Sequence, residues 1–69
     1  MKFTDSQKIF LNISIKKAMD EHNDQIKWFQ DLYNKENLVP YKNYYQEVIE
    51  MHVGKLEELD IMFKQVNEL

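Results

Sequence analysis

Lys8-Ile9-Phe10-Leu11-Asn12-Ile13-Ser14-Ile15-Lys16 is the stretch on which the fold turns. Its apolar residues at 9, 11, 13 and 15 alternate with a period of two, which suits a strand, while the sequence after it follows a helical period of 3.6. A strand here would have unpaired edges, because no other segment of the chain offers a comparable partner. A helix is therefore predicted. Wound as a helix, the segment is apolar on nearly every side, since residues 9, 10, 11, 13 and 15 point in at least three directions. Such a helix is normally buried on more than one side, and a single neighbouring helix covers only one stripe. Ile9, Phe10, Leu11, Ile13 and Ile15 are accordingly the expected self-association residues. Phe10→Asp or Ile13→Asp is expected to dissociate the assembly and to lower stability together.

Upstream, Thr4 and Gln7 have the spacing of a capping box, which sets the start of the helix near residue 5. Downstream there is no Gly or Pro before Pro40, and an apolar face runs through Leu11, Ile15, Ala18, Met19, His22, Ile26, Phe29, Leu32 and Tyr33. Polar Asn34-Lys35-Glu36-Asn37 and then Pro40 end it. Pro40 suits the first turn of a second helix, with a face of Tyr41, Tyr45, Val48, Ile49, His52, Leu56, Leu59, Met62, Phe63 and Val66. The expected domain is one all-α antiparallel helical hairpin over 1–69: helix 1 about 5–36, a turn about 37–40 and helix 2 about 41–67. Dimerisation of two hairpins into a four-helix bundle would cover the doubly apolar segment.

Composition agrees with this. The chain has 69 residues, 43% of them apolar, a net charge of −3, one Gly, one Pro and no Cys. That is too apolar for disorder, too poor in turn formers for an all-β fold, and without thiols for disulfides or a thiolate zinc site. A domain this small is marginal alone, which again favours oligomerisation as its staple. The run Ile9-Phe10-Leu11 is far below the roughly 20 apolar residues of a membrane span. Phe3-Thr4-Asp5-Ser6-Gln7 stands where a signal peptide would begin its apolar region, so a cytoplasmic location is expected.

All nine basic residues are Lys, and the absence of the Arg fork weakens a sequence-specific nucleic-acid reading. A nucleic-acid-associated dimer would have to use Lys2, Lys8, Lys16 and Lys17, which face only Asp5 in residues 1–17. Residues 38–69 carry three Lys against six acidic residues. A turn centred near residue 38 sets Lys16 and Lys17 opposite Glu58 to Asp60, where charge pairing between the helices is expected to fix their orientation.

His22 and His52 fall on the two core faces at matching heights and are the metal-binding alternative. The helical di-iron Glu-x-x-His pattern is missing, because Met19 and Ile49 stand where Glu is needed, so no metal site and no cofactor is expected. The imidazoles are read as half-buried spacers, with Gly54 permitting close approach opposite His22. Neither Ser6 nor Ser14 has the setting of a nucleophile, the single Gly54 cannot build a phosphate loop, and no catalytic residue or small-molecule substrate is expected. Trp28, Phe29, Tyr33, Tyr41, Tyr44 and Tyr45 gather near the turn and are the candidate residues for binding a foreign protein. Trp28 and Phe29, like Tyr44 and Tyr45, are adjacent and about 100° apart, so one of each pair should face away from the seam.

Leu56-Glu57-Glu58-Leu59-Asp60 resembles, at Glu58, Leu59 and Asp60, the Ser-Gln-Glu-Leu-Asp signature of small helical-hairpin phosphatase regulators acting on sporulation response regulators. In that family the signature follows the turn closely, whereas here it lies well into the second helix. The resemblance implies only that a hairpin this small can act by docking onto a larger protein. The function expected from the sequence is therefore non-enzymatic: a homodimer that binds another protein, in the manner of a small phage- or plasmid-borne inhibitor or regulator.

Overall fold

The computed structural model describes residues 2–68, which form two helices, α1 (Asp5–Lys35) and α2 (Val39–Asn67), and no strand among the described residues. Residues 9–15 are helical throughout. The capping box forms as expected: Thr4 Oγ1 accepts from Gln7 N at 3.2 Å, and Thr4 N donates to Gln7 Oε1 at 2.9 Å. Two of the free donors at the start of α1 are thereby used within one turn.

The turn is closed by a side chain that the sequence did not mark. Glu36 Oε1 accepts from Asn37 N at 3.0 Å and from Leu38 N at 3.1 Å. Leu38, the N-cap of α2, has no side-chain cap of its own, so the Glu36 carboxylate stands in at the positive end of that helix. Pro40 sits in the first turn of α2, where its missing N–H costs nothing, and the helix begins at Val39, slightly earlier than the sequence suggests.

The helices pack antiparallel as a single layer with Cα extents of 51 × 16 × 11 Å. A layer one helix thick gives each helix one covered stripe. Among the described residues only Ile15, Ile49 and Val66 are buried, at 3%, 8% and 6% exposure. Around them the seam is half-buried: Leu11, Ala18, His22, Ile26 and Phe29 from α1 meet Tyr45, Val48, His52, Leu56 and Leu59 from α2. Tyr41, Met62 and Phe63, assigned to this face by their spacing, are exposed. At the open end, Asn12 and Asn67 exchange two amide hydrogen bonds of 2.9 and 2.8 Å, and Asn67 Nδ2 also donates to Phe63 O.

Neither the N-terminal lysines nor Gly54 takes the place across the seam that spacing suggests. The ion pairs among the described residues lie within single helices: Asp31–Lys35 at 2.8 Å, Lys55–Glu58 at 3.5 Å and Asp60–Lys64 at 3.0 Å. Lys16 and Lys17 make none across the seam, because both project away from the stripe centred on Ile15 and His22, and Asp60 is taken by its own helix. Gly54 does not serve close approach either, since a Cβ there would meet nothing within 4 Å. It is simply a helix-interior glycine with a wider backbone ensemble in the unfolded chain. Gly54→Ala is expected to stabilise the hairpin by about 1 kcal/mol and raise Tm by roughly 4–8 °C, read by thermal circular dichroism.

Candidate functional site

The hairpin exposes 5702 Å² for 8.5 kDa. A compact monomer of that mass is expected to expose about 4,700 Å², so roughly 1,000 Å² is in excess, comparable to the about 800 Å² that each partner buries in a standard interface.

Large apolar side chains on this surface are placed with order. Phe10 and Trp28 are 69% and 57% exposed and stand eighteen residues apart, about five turns, so they project along one line of α1. Tyr44, Met51 and Met62, at 53%, 55% and 47%, fall on one line of α2 by the same period. Angles advance clockwise along α1 and counter-clockwise along the returning α2 when both are viewed from the start of α1. Measured from the seam, both lines therefore turn to the same broad side of the layer. Ile13 and Ile61, 64% and 56% exposed, point straight outward at the two edges. Ile9 and Val53 lie towards the opposite broad side, where Asn12, Ile13, Lys16, Met19, Asp60 and Phe63 line an open groove of about 500 Å³.

The residues expected for self-association thus divide. Ile9, Phe10 and Ile13 are free, Leu11 is half-buried, and Ile15 is the most buried residue of the hairpin's own seam and has no surface left to offer a partner. The aromatic group divides as well. Phe29 packs inward against Tyr45 at 6.1 Å, and Tyr33 carries Lys42 Nζ over its ring at 4.4 Å. Trp28, Tyr41 and Tyr44 face out, Tyr41 at the level where α1 ends, beside exposed Leu38 and Val39. The rule that one of each adjacent pair must face away holds for both Trp28–Phe29 and Tyr44–Tyr45.

His22 and His52 do meet. Their Nδ1 atoms are 2.8 Å apart and their ring centroids 5.0 Å, in the half-buried middle of the seam, and Phe29 stacks on His52 at 6.4 Å. Among the described residues no third His, Cys, Asp or Glu joins them in a metal-binding group. Two donors fall short of the three or four protein ligands of a zinc centre. The four N-terminal lysines form no single basic face: Lys8 is half-buried, and Lys16 and Lys17 project about 100° apart. No described helix is long and apolar enough to cross a membrane.

No family model matches the chain, and no curated protein or solved structure matches it either.

Proposed function

We propose that the protein is a non-catalytic interaction protein in which two hairpins pair through the broad side bearing Phe10, Trp28, Tyr44, Met51 and Met62. The pairing makes an antiparallel four-helix bundle. The observation that carries this reading is the alignment of five exposed, large apolar side chains along one side of a layer with surplus surface. Large exposed apolar patches on small soluble domains mark interaction sites, and hairpin-on-hairpin packing is how two-helix layers acquire a second covered stripe.

The bundle leaves Leu38, Val39 and Tyr41 at the turn, and Ile13 and Ile61 on the edges, open to a larger protein. There the bundle acts as a regulator or inhibitor by occupying a surface, without a bound cofactor or small-molecule substrate. Light scattering over a concentration series tests the pairing. The expected result is a helical species of twice 8.5 kDa. A mass that stays at one chain at every concentration counts against the bundle and leaves the broad side for a foreign partner.

A further inference from the structure

We propose that His22 and His52 form a two-donor site for a soft monovalent d10 cation, cuprous copper or silver, held in line between their Nδ1 atoms across the seam. The site asks nothing of the broad side and stands whether or not another copy covers it.

The two Nδ1 atoms are 2.8 Å apart and the ring centroids 5.0 Å. The second distance is close to the first plus one ring radius at each end, so both Nδ1 atoms lie near the line that joins the ring centres. The lone-pair axis of an imidazole nitrogen runs outward from the ring centre in the ring plane. The two axes therefore point at each other along that line. A tetrahedral ion takes its ligands at an angle, whereas a head-on pair has the directions of a linear, two-coordinate centre. Rotation about the common axis is free in such a centre, so the 50° between the ring planes does not oppose it.

Without the ion the contact is a hydrogen bond, one Nδ1 protonated and the other presenting its lone pair. To admit the ion, the donor ring gives up its Nδ1 proton to solvent and takes one back at Nε2. Two nitrogen–metal bonds form and one hydrogen bond breaks. Both rings are neutral before and after, and the ion brings its own charge without change of oxidation state. With metal–nitrogen bonds of about 2 Å on each side, the Nδ1 atoms must part by about 1 Å. Both residues are half-buried in a layer one helix thick, open on both broad sides, so side-chain torsions can supply that movement.

The donor set selects the ion. Among the described residues no third His, Cys, Asp or Glu joins the pair. Calcium and magnesium take several oxygen ligands and zinc three or four protein ligands, so the pair suits none of them. Two imidazoles complete the shell of a linear d10 ion, and imidazole is an ordinary ligand for copper. A structural metal is one of the staples that small domains use in place of a large core. Here it would tie α1 to α2 near the middle of both helices.

Silver(I) in chloride-free buffer at about pH 7.5, above the range in which ordinary imidazoles become charged, is the probe. Titration calorimetry is expected to show one ion per hairpin. Circular dichroism is expected to show Tm raised by about 10 °C or more when free silver stands about a hundredfold above the dissociation constant. Zinc at the same concentration is expected to raise Tm much less. His22→Asn and His52→Asn each keep a polar amide in place of one ring and are expected to lose most of the rise with silver. A full rise in either variant, or a larger rise with zinc than with silver, overturns the site. Should the variants fail to fold, ring-nitrogen NMR of the wild-type chain decides. Silver is expected to shift both Nδ1 resonances and leave both rings protonated at Nε2. Silver bound elsewhere, on the exposed methionines, would leave one or both Nδ1 resonances in place, and that result also overturns the proposal.

Discussion

If two hairpins pair through the broad side as proposed, Phe10→Asp is expected to split the pair into single hairpins of 8.5 kDa. In the isolated hairpin Phe10 is 69% exposed, so the substitution removes almost nothing from that fold, and exposed changes of this kind usually stay within about 0.5 kcal/mol. In the proposed pairing the same side chain lies within the contact between copies, and the variant would set a carboxylate into that apolar contact twice, once from each hairpin. An unpaired charge so buried costs several kcal/mol, enough to move a dissociation constant by a factor of about a thousand. Ile13→Asp is the control. Ile13 points out from the edge, away from the broad side, so a bundle paired as proposed survives it. The sequence alone gave no basis for separating the two positions. If light scattering shows Phe10→Asp still paired, or Ile13→Asp as the variant that dissociates, the broad-side bundle is wrong.

Ile15→Ala should unfold much of the population at room temperature. Loss of a buried isoleucine to alanine typically costs about 2–5 kcal/mol, and a core of this size supplies little more than about 3–5 kcal/mol in all. Ile15, 3% exposed, is the most buried of the three buried apolar residues, and a layer one helix thick cannot close around the cavity. Denaturant titration of Ile15→Ala beside Ile13→Ala provides the measurement. The first is expected to lose most of its cooperative transition, and the second to shift by less than about 0.5 kcal/mol in the single-hairpin state. Two positions only two residues apart should thus differ severalfold. Equal losses would contradict the placement of Ile15 in the seam and Ile13 on the edge.

Much of the fold was legible because it depends on near neighbours in sequence. Thr4 and Gln7 are three residues apart and their box forms within one turn. The 3.6-residue face of α1, from Leu11 to Tyr33, is the seam that the structure shows. The ambiguous segment resolved as a helix, since a helix satisfies its own backbone and a lone strand does not. What stayed hidden depends on register and rotamer across the seam. A segment apolar on all sides carries no mark of which side its neighbour covers, so Ile15 was grouped with Ile9, Phe10 and Ile13. The Glu36 clasp and the Asn12–Asn67 exchange need specific side-chain directions that spacing does not supply. His22 and His52 were matched in height from the sequence, but the facing of two Nδ1 atoms is a rotamer property. Charge pairing failed as a guide because lysine side chains are long and flexible, and acids on the same helix lie nearer.

The Asn12–Asn67 exchange has a use as a measuring device. It joins positions 55 residues apart in sequence, so probes attached before α1 and after α2 sit side by side at one tip of a body whose longest extent is 51 Å. Energy transfer between such probes is near its maximum in the closed hairpin and falls as soon as the tip splays, before the helices themselves melt. A probe on Asn37 paired with one before α1 spans the full length of α1 instead. That distance stays nearly constant while the tip opens and spreads into a broad distribution only when α1 unwinds. Three labelled positions on one small chain therefore separate parting of the helices from loss of helix.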